Sequence, residues 1–70
     1  MRFNVGDKVI LHPNLAIDRS NPPRGVVVNA NHKYAEVAFA DHMLNTMAFE
    51  QNTNNIVKLE ESNNILKGLL

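Results

Sequence analysis

Cysteine is absent from the seventy residues of this chain. That excludes disulfides and thiolate metal sites, and it leaves cysteine usage silent about the compartment. An excess of either charge is also missing: seven Lys plus Arg stand against seven Asp plus Glu. Non-specific nucleic-acid binding rests on a positive field that displaces counterions from phosphates. A neutral chain lacks that field globally and offers at most a local patch. No apolar run is long enough for a signal peptide or a membrane span. The expectation is a soluble, cytoplasmic protein. Tryptophan is missing and Tyr34 is the sole tyrosine, so surface for stacking bases is scarce.

The length allows one domain at most. A short chain buries a smaller fraction of its surface than a long one, so the core is marginal. Natural domains of this size add disulfides, metal or oligomerisation. With no cysteine, oligomerisation or docking on a larger partner gains weight.

What is present reads as short strands punctuated by turns. Residues 3–11 are expected to form strand one, with Phe3, Val5, Val9 and Leu11 sharing a face around a Gly6-Asp7 corner. Residues 12–24 form a long loop, because Pro13, Pro22 and Pro23 fix φ and remove backbone donors. Leu15 and Ile17 in that loop are expected to fold back over one end of the core. Strand two runs from Gly25 to Ala30, with Val26 and Val28 on one face. The polar stretch Asn29 to Lys33 suits a hairpin turn. Strand three, Tyr34 to Ala40, has the clearest alternation: Ala35, Val37 and Phe39 point one way, Tyr34, Glu36 and Ala38 the other. Asp41 to Asn45 connect to strand four, Thr46 to Gln51, with Met47 and Phe49 inward. A turn over 52–55 leads into strand five, Ile56 to Glu60.

The tail differs. Ser62-Asn63-Asn64 can cap a helix start, and Ile65, Leu66, Leu69 and Leu70 fall on one side of about two turns. Such a segment is not stably helical alone in water, so it must dock on the barrel, a second copy or a partner. The expected fold is all-β: one five-stranded SH3-like barrel over residues 1–60, with a short C-terminal helical segment over 61–70.

Phe3-x-Val5-Gly6-Asp7-Lys8-Val9, then Gly25-Val26-Val27, then Ala35-Glu36-Val37-Ala38-Phe39, then Asn55-Ile56-Val57-Lys58-Leu59-Glu60 resembles the KOW and Tudor-type members of the SH3-like group across residues 3–60. The Phe3-to-Val9 segment also resembles the domain by which CarD-type transcription regulators engage RNA polymerase. Gly6-Asp7-Lys8-Val9 with Asn52-Thr53-Asn54-Asn55 is similar to the small stromal barrel protein of photosystem I. These resemblances imply a fold, while any function drawn from them is analogy. One enzyme of the group, the plasmid-borne trimethoprim-resistant dihydrofolate reductase, builds its site from a tetramer of such barrels. Its Val-Gln-Ile-Tyr motif would fall near Met47-Ala48-Phe49-Glu50, where the match fails. No catalytic residue is carried over.

Catalysis needs a nucleophile with its base, or opposed carboxylates. Ser20 and Ser62 are the only serines and sit in polar stretches, and Asp7, Asp18 and Asp41 are widely spread. The reading is therefore not an enzyme, with no cofactor. His12, His32 and His42 have no metal-ligand spacing and read as loop histidines, so no metal site is assigned. A convergence of His12 and His32 at one end of the barrel is the lesser alternative.

For protein partners the signal is apolar residues that a barrel does not need. They are Ile10, Val27, Tyr34, Ala38, Met43 and Leu44, joined in the tail by Ile65, Leu66, Leu69 and Leu70. Contiguous exposed apolar surface marks interaction sites. The competing reading lays the tail across Ile10, Val27 and Ala38 as a second small core. Edge strands of a partly open barrel also offer backbone pairing to a partner strand. The expectation is non-catalytic binding of protein, as an accessory or modulatory subunit or as a homodimer. The alternative is a KOW-type nucleic-acid-associated module contacting its ligand through Arg19, Arg24, His32, Lys33 and Tyr34. An oligomeric enzyme with a site between barrels is the third reading.

Overall fold

A computed structural model describes residues 1–40 and 46–60. The five strands are β1 (Lys8–Leu11), β2 (Arg24–Ala30), β3 (Tyr34–Phe39), β4 (Thr46–Glu50) and β5 (Ile56–Lys58). They form one antiparallel sheet in the order β4-β3-β2-β1-β5. The sheet curls into a half-barrel around Phe3, Val9, Val27, Ala35, Val37, Phe39, Phe49 and Ile56. Phe39 and Phe49 meet edge to face, with ring centroids 6.2 Å apart. Among the described residues no helix is long and apolar enough to cross a membrane. Met43, Leu44, His42, Ile65, Leu66, Leu69, Leu70 and the expected tail helix lie outside the described residues.

The opening corner is set by local chemistry. Gly6 takes φ +93°, a left-handed conformation that costs glycine little. The Asp7 carboxylate accepts from the Asn4 backbone N–H at 2.8 Å, and Asp7 N–H donates to the Asn4 carbonyl at 3.0 Å. Gly6 N–H donates to the Val27 carbonyl, and Val27 N–H to that of Asp7, which ties the corner to β2. Val5 is left exposed at the corner, while Phe3 is buried on its far side. The first strand is accordingly shorter than the expected 3–11.

One facing assignment and one expected exposure are overturned. Val27, expected outside, is 1% exposed, while Val26 and Val28 are exposed. The cause is register: Val27 stands opposite the buried Val37, and directly opposed residues share a face. Three consecutive valines carry no phase of their own, so pairing with β3 decides it. A register shift between Val27 and Asn29 then turns both Val28 and Asn29 outward and returns Ala30 to the core side. Ile10 does face away from the core side of β1, as expected, but it is buried there, at 1% exposed. It opposes the buried Val57 on the face of β1 away from Val9. Burial on that face is local, since Lys8, two residues away on the same side of β1, is exposed.

The 12–24 loop contributes differently from expectation. Pro13 and Pro22 are buried, whereas Leu15 and Ile17 point to solvent. A short 3₁₀ turn, Pro13–Leu15, opens where His12 Nδ1 accepts from the Asn14 N–H at 3.1 Å. Further along, the Asp18 carboxylate accepts from the Ser20 hydroxyl at 2.7 Å and the Ser20 N–H at 3.0 Å. The hydroxyl bond first, then the backbone bonds, holds the Asp18 carboxyl below its ordinary 3.8. A depressed carboxylate lends its turn stability above the ordinary value and loses it as pH falls through the folded value. Ser20→Ala is expected to move the Asp18 titration, followed by side-chain carboxyl NMR, back toward 3.8. An unchanged midpoint would refute the hydroxyl's part.

Candidate functional site

The β2–β3 hairpin closes over His32 and Lys33. Asn31 sets the turn: its Oδ1 accepts from the backbone N–H groups of Lys33 (2.9 Å) and Tyr34 (2.8 Å). Beneath the turn lies Gln51, the one buried polar side chain among the described residues. Its Oε1 accepts from Phe3 N–H at 2.8 Å, and its Nε2 donates to the carbonyls of Phe3 and Asn31, both at 2.9 Å. One amide thus joins the N-terminal segment, the hairpin turn and the end of β4. Nothing in the expected pattern marked it, apart from its place as a lone amide closing an apolar strand.

Tyr34 stands on the outer face at this end, 47% exposed, as a ridge between two shallow grooves. His32, Lys33, Glu50 and Asn52 line one; Asn29, Glu36 and Ala48 line the other. Ala38 shares the outer face and is half-buried beside Val26. Of the residues proposed for nucleic acid, His32, Lys33 and Tyr34 are therefore brought together. Arg19 and Arg24 are not. Arg24 begins β2, about 20 Å of strand from the turn at ~3.3 Å per residue. Arg19 lies in the first loop, donating to Asn14 Oδ1 at 3.0 Å. His12 follows β1 at the Arg24 end, because Ile10 pairs with Arg24. His12 and His32 consequently stand at opposite ends of β2, and their expected convergence does not occur.

Of the expected protein-binding residues, Ile10 and Val27 are unavailable because they are buried. Tyr34 remains on the surface, and Ala38 faces outward. The surface that strand patterning missed is the edge of the sheet. β4 ends the strand order, so one side of its backbone has no neighbouring strand among the described residues. Its pairing with β3 runs Thr46↔Ala38 to Glu50↔Tyr34 without irregularity. Gln51 N–H donates to the Lys33 carbonyl at 2.8 Å, in phase with that register. Bonded and non-bonded pairs alternate along an antiparallel ladder. Met47 and Phe49 therefore bond toward β3, and the backbone groups of Thr46, Ala48 and Glu50 turn away from it. The Glu50 carbonyl also accepts from Thr53 N–H at 3.0 Å, closing the following turn.

Met47 lies on the inner face, opposite Val37 in the ladder, yet it is 51% exposed. It was expected inward like Phe49. Phe49, on the same strand, is covered by its edge-to-face contact with Phe39, whereas among the described residues no strand lies beyond β4 to cover the outer flank of Met47. Natural edges are guarded by brevity, lysine, proline or bulges. β5, the other edge, has three residues and carries Lys58. β4 has five residues, no lysine or proline, and its only charge is Glu50 at the end.

Comparison with family models, with curated proteins and with solved structures finds no match to this chain.

Proposed function

We propose that this chain is a non-catalytic binding module of the SH3-like kind that takes a protein partner along the open edge of its sheet. It would serve as an accessory or modulatory subunit of a larger assembly, or as a homodimer. The β4-β3-β2-β1-β5 order, the long first connection and the tight β2–β3 turn support the SH3-like assignment. The observation that carries the binding reading is the β4 edge, which no strand covers among the described residues and which the half-exposed Met47 flanks. A partner strand adding there gains main-chain hydrogen bonds for affinity and side-chain contacts for selectivity.

The second reading is the KOW-type nucleic-acid module. It is favoured by the groove that holds His32 and Lys33 beside Tyr34, and opposed by Glu36 and Glu50 next to the same tyrosine.

A photoreactive amino acid placed singly at Ala48, Tyr34 or Arg24 separates the two in host extract. The expected result is discrete protein adducts from Ala48 that survive nuclease, with none from Arg24. Adducts confined to Tyr34, lost on nuclease treatment and falling steeply with salt, would replace the protein reading with the nucleic-acid one.

A further inference from the structure

The same edge points to a specific occupant. We propose that β4 pairs antiparallel with β4 of a second copy of this chain, in the register that sets Ala48 against its own counterpart. This rests on the protein-binding reading of the edge and names its partner.

The strand is complementary to itself in that register. Ala48 opposes Ala48, and each exchanges both backbone groups with the other, because they already turn away from β3. Glu50 N–H of each copy meets the Thr46 carbonyl of the other. The Glu50 carbonyl, already accepting from Thr53 N–H, is not required. The Ala48 exchange and the two Glu50 bonds together make four main-chain hydrogen bonds.

Side chains agree on both faces. Outside, the Glu50 carboxylate falls opposite the Thr46 hydroxyl and the two small Ala48 side chains face each other, so no like charges are opposed. Inside, Met47 of each copy falls opposite Phe49 of the other. Such a non-bonded pair brings side chains closest, and thioether against ring is a favourable contact. The pairing covers the exposed flank of Met47 and extends the core across the edge. The chain carries no net charge, so two copies do not repel one another at long range. A register shifted by two residues loses this match, since Ala48 would then stand against Thr46 or Glu50. One five-residue strand per copy is a small contact, so the dimer is expected to depend on concentration.

The test uses the full chain. Sedimentation equilibrium of the wild type is expected to show a mass rising from one chain toward two with concentration, and Met47→Lys is expected to stay at one. Folding of that variant is checked by circular dichroism. An independent arm exploits the absence of native cysteine. Ala48 is exposed, and paired strands hold the two positions about 5.5 Å apart between Cα atoms, within disulfide reach. In a glutathione buffer, Ala48→Cys is expected to form covalent dimer about tenfold faster or more than Asn54→Cys, whose residue sits in an exposed turn. A single-chain mass at every concentration, equal rates for the two cysteines, or association that survives Met47→Lys overturns self-pairing. If Ala48→Cys does not link but a photoreactive Ala48 captures another protein, the edge reading stands without self-pairing. If neither occurs, both fall.

Discussion

Gln51→Ala is expected to be among the most destabilising single substitutions in this domain. The side chain is buried and serves four backbone groups: the N–H and C=O of Phe3, the C=O of Asn31 and, at 3.4 Å, the C=O of Tyr34. Removing it leaves those groups without their partner beside a closed core. Each buried orphan costs about 1–3 kcal/mol, offset where water enters the space, so a loss of about 2–4 kcal/mol is expected. For a domain this small, that is a fall of about 10–20 °C in Tm. Gln51→Leu keeps the volume and removes the hydrogen bonds, so it should fall by a similar amount. Gln51→Glu keeps the acceptor for Phe3 N–H but sets a buried carboxylate oxygen against the Phe3 and Asn31 carbonyl oxygens, so at neutral pH it should be the least stable of the three. Thermal unfolding of the three variants ranks the bonds. A Gln51→Leu protein as stable as wild type would show that volume, and not the amide network, holds the N-terminal segment.

Gly25→Ala is the second large effect. Replacing glycine in a strand usually gains a few tenths to about 1 kcal/mol by restricting the unfolded chain. Here the added Cβ would stand 2.7 Å from the Ala38 carbonyl oxygen and 2.7 Å from Val37 Cγ1. The carbonyl belongs to the β2–β3 ladder, and the methyl belongs to a fully buried side chain. Neither is the loose end of a flexible group, so the strands must separate. Overpacking of this kind costs about 1–3 kcal/mol, which outweighs the entropy gain. The expected outcome in denaturant melts is a lower midpoint at unchanged slope. Gly6→Ala is the contrast: no atom lies within 4 Å of the added Cβ, and only the φ of +93° resists it. Its expected loss is about 1 kcal/mol, from conformation alone. If Gly6→Ala proves the more damaging, the close approach of β2 to β3 is not what selects glycine at 25.

Much of this arrangement was legible in the residues. The outer and inner sets of β3 follow from the alternation of Tyr34 to Phe39, which has a period of two and one polar face. The hairpin turn follows from Asn31, whose side chain supplies the turn's hydrogen bonds locally. The corner at Gly6-Asp7 follows from a glycine free to take positive φ beside a carboxylate able to accept from Asn4. Each depends on residues a few positions apart, so sequence proximity is spatial proximity.

Other features depended on which strand lies alongside. The phase of Val26-Val27-Val28 came from the partner Val37 and was shifted again at Val28, because uniform valines cannot tell the two faces apart. The place of Ile10 opposite Val57, with both buried, joins residues nearly fifty positions apart across β1 and β5. Gln51 met Phe3 across a similar span. The candidate site divided on the same ground: Arg24 and Tyr34 lie ten positions apart in sequence but at opposite ends of one strand's length. Composition and local pattern determined that this chain makes short strands, turns and a small core without disulfides. Strand order alone decided that β4 is an edge among the described residues, because which strands lie alongside one another is set by pairing between distant segments and not by local pattern.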